Sequence, residues 1–386
     1  MTLPAQWQAF ADSVQPDAAI ARRRLDQTVD LARKHTSLTE KQLNDLSSYA
    51  TLIGNDSDLM RRWTIARSIF LHTEWDELLE TPLPRWFCKD MPEQAFLLTI
   101  AISGIPDAEE CFRVKKLPLE KLHESFDEIR AWTDSCESNF GLTGLPFNSG
   151  FAWIVLRLFT GVVLRFGRLE YNRARSFCDI LVFRHKRSGE LRVLLNASYP
   201  VNADGRIAAP GEQAAFRTER PFGIFGPYYG HPVFADGRIH KDIVAADPEE
   251  WDCVLRPWDE TVYMHIPALG PLKPEQVLAS YAAVKEFYSR SGSDYHPKAI
   301  ICGSWLFDPV LQDLLPEKSN LRQFQNSGFL LPSPPGGIGE LWRVFGIRGV
   351  RDGVASVEWK TSLQKTLGRY IADGGVIRGG RFLYLF

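Results

Sequence analysis

Residues 261–309 spell out one supersecondary unit, and it restricts the folds open to the rest of the chain. A short apolar run, Thr261-Val262-Tyr263-Met264-His265-Ile266-Pro267, leads into a turn at Ala268-Leu269-Gly270-Pro271-Leu272. The spacing then predicts a helix over residues 274–290, with Val277, Leu278, Tyr281, Val284 and Phe287 as its apolar stripe. Pro274 suits the first helical turn, where its missing N–H has no bond to lose. A second apolar run, Ala299-Ile300-Ile301-Cys302-Gly303-Ser304-Trp305-Leu306-Phe307, closes the unit. Strand, turn, helix and strand read as a βαβ unit, and open α/β sheets take ligands beyond the carboxyl ends of such strands.

The flanking sequence is of two kinds. Residues 17–166 show helix patterns and almost no strand signal. Helices are expected over 18–35, after the capping box of Thr39 and Gln42, over 58–79, over 93–103 behind Pro92, over 119–139 behind Pro118, and over 151–164. Their aromatic residues recur at helical spacing, which assigns them to a core. From Arg165 the pattern turns strand-like. Runs at 177–185 and 190–197 flank a hairpin turn at Lys186-Arg187-Ser188-Gly189, and Asp236-Gly237 marks another. Residues 201–258 are rich in Gly and Pro, including Pro221-Phe222-Gly223-Ile224-Phe225-Gly226, and are expected to form β-ribbons or loops covering a sheet. Beyond the βαβ unit, short helices are expected at 309–315 and 319–326. Gly336-Gly337-Ile338-Gly339 then precedes a strand at 341–347, a helix at 361–374 and a terminal strand paired within a sheet. The fold class is therefore α+β, with a helical domain at 1–150 and a mixed-sheet α/β domain at 151–386.

Bulk properties exclude several functional classes. Lys+Arg 45 against Asp+Glu 47 gives a formal net charge of -2, so no basic footprint for nucleic acid or an anionic membrane exists. The longest apolar stretches are too short, or are interrupted by Arg157 and Arg165, to span a bilayer. The N-terminus lacks the charged start and apolar core of a secretory signal. Six cysteines are scattered without a C-x-x-C pair, which suits reduced thiols in a cytoplasmic protein and gives no metal site. A small-molecule substrate is the expected partner; the oligomeric state is open.

Several motifs stand together in a telling order: Gly167-Arg168-Leu169-Glu170-Tyr171, His265-Ile266-Pro267, the run from Cys302 to Asp308-Pro309, Ser319-Asn320-Leu321-Arg322-Gln323-Phe324, and Arg343-Val344-Phe345-Gly346. They resemble a bacterial family of acyltransferase-domain proteins that pair a helical N-terminal domain with a GNAT-like (N-acyltransferase-like) C-terminal domain. The resemblance covers most of the chain. It implies an acyl-CoA co-substrate, with Ala268, Leu269, Gly270 and Leu272 cradling its pyrophosphate through backbone N–H groups and the helix dipole. Here the sequence departs from the usual Gln/Arg-x-x-Gly-x-Gly/Ala turn. Only Gly270 is present, and Pro271 removes one N–H.

Four reactive residues fall in the unit. His265, near the end of the first strand, is either a general base for an acceptor or a hydrogen-bonded histidine that holds the turn. Tyr263 shares its face, and the resemblance gives such a tyrosine the role of proton donor to a leaving thiolate. Cys302 and Ser304, two apart on the second strand, share a face and with His265 would supply a nucleophile and base. Three readings follow: an acyl-CoA-dependent acyltransferase acting on a small amine or hydroxyl, a non-catalytic ligand- or partner-binding protein on a degenerate GNAT scaffold, and a Cys/Ser-His hydrolase.

Overall fold

Local capping chemistry places several helix starts. In the computed structural model, which describes residues 3–72, 83–220, 226–290, 295–336 and 341–386, Thr39 accepts from the Gln42 N–H while the Gln42 side chain accepts from the Thr39 N–H. The same reciprocal box forms at Thr361 and Gln364. Two units cluster separately: Met1–Phe166 with Pro267–Leu269, and Gly167–Ile266 with Gly270–Phe386.

The first unit is helical: α1 Ala5–Ser13, α2 Ala18–Asp26, α3 Thr28–His35, α4 Glu40–Asn55, α5 Ser57–His72, α6 Arg85–Cys88, α7 Glu93–Ser103, α8 Ile105–Val114, α9 Leu119–Glu124 and α10 Asp127–Phe140. Two π-helical turns, Phe147–Phe151 and Trp153–Leu158, precede a short strand β1, Leu164–Phe166. Helix α7 is apolar all round and buried from Ala95 to Ser103, so it is the axis of the bundle. Trp63 of α5 donates to Thr99 Oγ1 at 2.8 Å, which satisfies the buried indole N–H. The helix expected over 18–35 is two helices sharing Gln27 as a cap. The one expected over 119–139 breaks at Ser125-Phe126. Trp75, Leu78 and Leu79, expected to extend the α5 stripe, lie outside the described residues, as do Pro221–Phe225 and Gly337–Gly339.

In the second unit, five strands lie side by side: β2 Leu169–Arg175, β11 Glu260–His265, β12 Ala299–Ser304, β14 Gly380–Leu385 and β13 Phe329–Leu331. Neighbours are antiparallel except β11 and β12, the parallel pair that the βαβ unit requires. Its crossover helix, α11 (Pro274–Arg290), covers one face. Tyr281 packs on Tyr384 with ring centroids 4.7 Å apart, and Tyr171 Oη lies 3.0 Å from Ser280 Oγ. The C-terminal strand is interior, between β12 and β13, as its apolar run predicts.

The other face packs on a second sheet, ordered β10 (Trp251–Leu255), β3 (Ile180–His185), β4 (Leu191–Leu195) and β8 (Pro232–Val233). Ile180, Val182, Val193 and Leu195 meet Ala299, Ile301, Leu331 and Leu383 in one core. Each Val, Leu or Ile side chain among them contributes about 1.5–3 kcal/mol through burial. The 201–258 segment supplies β5–β6 and β7–β9 ribbons, with β5 Pro200–Val201, β6 Phe216–Arg217, β7 Tyr228–Gly230 and β9 Val244–Ala246. The expected strand at 341–347 is helical, α14 (Trp342–Asp352) with a kink at Gly346, following α12 (Val310–Leu314) and α13 (Asn320–Gln325). Leu341 and Phe345, four apart, bury together against Leu311 and Leu367 of α15 (Ser362–Ala372), and that i,i+4 contact overrides the apolar alternation.

One buried ion pair bridges the two sheets. Arg381 of β14 donates two bonds to the carboxylate of Asp179, beside β3, at 2.6 and 2.8 Å. It also donates to Pro332 O and lies over the Phe177 ring. Burial alone would raise the Asp179 carboxyl, but the bonds from Arg381 and Tyr199 hold it below its ordinary value. Two outcomes follow. Asp179→Ala, which strands a buried guanidinium, should cost about 3–5 kcal/mol in chemical denaturation. Because the folded carboxyl is depressed, its contribution is complete above the unfolded value and disappears as pH falls through the folded one. The Tm of the parent should therefore fall more steeply below about pH 4 than that of an Asp179→Leu/Arg381→Met double variant.

Candidate functional site

Strand β11 runs between β2 and β12, but its two neighbours treat it differently. Its register with β2 continues from Glu260 opposite Arg175 to His265 opposite Glu170. With β12 it pairs only at Val262–Ile300 and Tyr263–Ile301. Strand β12 meanwhile stays paired to β14 as far as Ser304. The sheet thus opens between the carboxyl ends of its parallel strands, each still held by its outer partner. That is where ligands enter sheets of this class.

Tyr263 stands at the point of parting. Its hydroxyl accepts from the Gly303 N–H at 2.9 Å and donates to the Gly303 carbonyl at 3.1 Å. A phenol therefore takes both backbone groups of the first β12 residue beyond the shared ladder on that side. A Cβ added at Gly303 would stand 3.3 Å from this oxygen, so the glycine keeps the approach open. His265 lies next along the same face, its ring centroid 5.0 Å from that of Tyr263.

Asn172 fixes the imidazole. It is directly across the ladder from Tyr263 and diagonal to His265, within reach on one face. The Asn172 amide donates to Arg173 O, so its oxygen faces His265 Nε2 at 2.5 Å. An amide oxygen only accepts, so Nε2 carries a proton in this bond. Glu170, fully buried, sits opposite His265 on the same face.

The proposed nucleophiles do not join this group. Register places Tyr263 and Ile301 on one face, so Cys302 and Ser304 belong to the other. Cys302 is buried, and burial pushes its thiol well above the ordinary range despite the nearby Tyr263 hydroxyl. Burial thus disfavours the thiolate, the form in which a cysteine attacks. Ser304 Oγ accepts from the Leu306 N–H as the cap of a short 3-10 turn. Two residues apart was read correctly as one face; the face is simply not that of His265. Asp308 accepts from the N–H groups of Val310, Arg378 and Gly379, a structural bracket, and Ser319 caps α13.

The turn after β11 departs from a glycine cradle. Ala268 and Gly270 are exposed, and Leu269 and Leu272 are half-buried. Gly270 has φ +86°, and a Cβ there would meet nothing within 4 Å, so the residue serves the backbone angle. Arg168 donates to the carbonyls of Gly270 and Pro271 at 2.7 and 3.3 Å. In the first turn of α11, the Gln276 and Val277 N–H groups both bond Lys273 O. Lys273, exposed just before this 17-residue helix, adds a positive charge at its positive dipole end. Of Trp251, Trp258 and Trp305, the first and third are core and only Trp258 is exposed.

Sequence reasoning missed Asn172, Arg168 and Lys273. Arg168 was visible within a motif, but its partners lie over a hundred positions away in a loop. Asn172 carried no signal, because its role depends on strand register.

Comparison with known proteins follows from this geometry. A family model described as the GNAT-like C-terminal domain matches residues 163–382. No curated protein matches the chain. Among solved structures, an acyltransferase mutant in complex with octanoyl-CoA is similar at TM-score 0.63 and 15% identity, over 99% of this chain and 95% of that one. An acyltransferase in complex with decanoyl-CoA and teicoplanin gives TM-score 0.61 at 15% identity, over 99% and 94%. An acyltransferase in complex with decanoyl-CoA gives 0.54 at 16% identity, over 96% and 99%. These likenesses show a shared fold, helical N-terminal region included.

The burial of Cys302 generates a direct expectation. Iodoacetamide should label exposed Cys178 in the native protein and leave Cys302 unmodified until unfolding, as peptide mass spectrometry would show. Native-state labelling of Cys302 would restore it as a nucleophile.

Proposed function

The chain belongs to the family of the GNAT-like C-terminal domain, and from that premise we propose that it is an acyl-CoA-dependent acyltransferase acting on a small amine or hydroxyl acceptor. The observation that supports this best is the opening between β11 and β12 beyond Tyr263 and Ile301, lined on one face by Tyr263 and His265. An extended pantetheine arm suits such an opening, its amides pairing with strand-edge backbone groups beyond those that Tyr263 holds. Lys273 and the start of α11 would meet the phosphates, replacing the glycine cradle that the turn lacks.

In this reading the acceptor attacks the thioester carbonyl directly. His265, oriented by its bond to Asn172, takes the acceptor's proton as the new bond forms. Tyr263 donates its proton to the departing thiolate, exchanging its bond to the Gly303 carbonyl for one to sulfur. The carbonyl carbon passes from sulfur to the acceptor, so CoA leaves as the thiol. The acyl chains and the teicoplanin held by the similar structures make octanoyl-CoA, decanoyl-CoA and teicoplanin the first compounds to test.

The second reading, a ligand-binding protein on a degenerate scaffold, draws its support from Arg168 and Pro271. Together they leave the turn without the amides of a full cradle. Calorimetry with CoA, acetyl-CoA, octanoyl-CoA and decanoyl-CoA separates the two. Binding, with turnover in a thiol-release assay, supports the transferase, and His265→Ala should then lower kcat by about 10²–10⁴-fold with little change in acyl-CoA affinity. Binding of none of the four would overturn the proposal. Binding without turnover across amine and hydroxyl acceptors would favour the scaffold.

A further inference from the structure

The helical unit gathers three metal-ligating side chains from three different helices, none of them given a role above. His35 ends α3, Glu109 lies in α8 and His123 in α9. One ligand atom from each lies within 4.8 Å of the other two. His123 Nε2 and Glu109 Oε1 are 3.0 Å apart, and the two imidazole centroids 5.6 Å. Phe126, only 3% exposed, backs both rings, with centroids 5.4 Å from His35 and 5.5 Å from His123. Two imidazoles packed on one buried aromatic wall, opening toward one carboxylate, are more organised than a solvated charge cluster.

We propose that His35, Glu109 and His123 bind a divalent transition-metal ion of the zinc type, clasping α3 to α8 and α9. Two histidines and one carboxylate form the donor set that such ions take, with a remaining position for water. Donor atoms around a tetrahedral ion at ~2.0–2.2 Å stand roughly 3.4 Å apart. His123 and Glu109 are already near that spacing, and rotation of the His35 side chain closes the third side. The carboxylate is available. Arg113 approaches Glu109 Oε2 at 3.6 Å but holds its closer partner, Glu110 Oε2, at 2.6 Å, so Glu109 can turn without stranding it. His35 also terminates an eight-residue helix, where the negative dipole end favours a cation. Arg33 and Lys34 in the same last turn oppose this, and one carboxylate offsets only part of a 2+ charge, so the imidazoles must supply most of the affinity.

Binding a folded-state ion stabilises the fold by mass action. The full-length protein, treated with chelator and dialysed, should therefore show a Tm rise of roughly 4 °C or more on adding Zn²⁺. Co²⁺ should give visible absorption bands that Zn²⁺ bleaches. His35→Ala and His123→Ala should each abolish both effects, while His296→Ala, an exposed histidine elsewhere, should keep them. His123 is itself exposed, so its variant stays informative if His35→Ala fails to fold. Absence of the cobalt bands, or a Zn²⁺ shift that survives in His123→Ala, would overturn the proposal. Neither readout involves acyl-CoA, so this site and the transferase reading succeed or fail separately.

Discussion

A single parallel pairing, two residues long, governs the second unit. The other described strand pairs of its main sheet are antiparallel, and antiparallel strands need only a turn between them. The β11–β12 pair needs a crossover, so α11 must lie on one face, and that face must be apolar to receive it. Because β11 and β12 follow different outer partners, their shared ladder stops at Tyr263 and Ile301. The sheet opens there, and each reactive feature of the molecule is defined by which side of the opening it faces.

Two devices keep that opening in shape. Tyr263 ties its hydroxyl to both backbone groups of Gly303, so the parted strands remain in contact through a side chain instead of a ladder. Behind it, the Asp179–Arg381 pair holds β14, and through it β12, to the second sheet. Arg168 fixes the turn beyond β11 by its carbonyls. Phosphate recognition therefore shifts, in the transferase reading, from turn amides to Lys273 and the helix start.

Much of the fold was legible. The βαβ unit, the capping box at Thr39, the hairpin at Lys186–Gly189 and the interior C-terminal strand all rest on local rules that hold wherever the segment packs. The strand expected at 341–347 failed for an instructive reason. Leu341, Phe345 and their neighbours suit either period, and the choice was made by Leu311 and Leu367 waiting at helical spacing. Tyr263 and His265 were placed on one face because alternation along one strand is a local fact. Cys302 and Ser304 were grouped with them because sequence cannot show which face of a neighbouring strand is turned the same way.

Periodicity, capping and turn chemistry by themselves determined a helical part, a mixed α/β part and a shared face for Tyr263 and His265, since each depends on residues a few positions apart. Tertiary structure alone decided the rest. Register between β2 and β11 brought Asn172 to His265 and so oriented its ring. Register between β11 and β12 sent Cys302 into the core. Helix packing set His35, Glu109 and His123 together from positions 74 and 14 apart. Such pairings are settled by which surfaces exclude water together, and no local pattern in the chain encodes them.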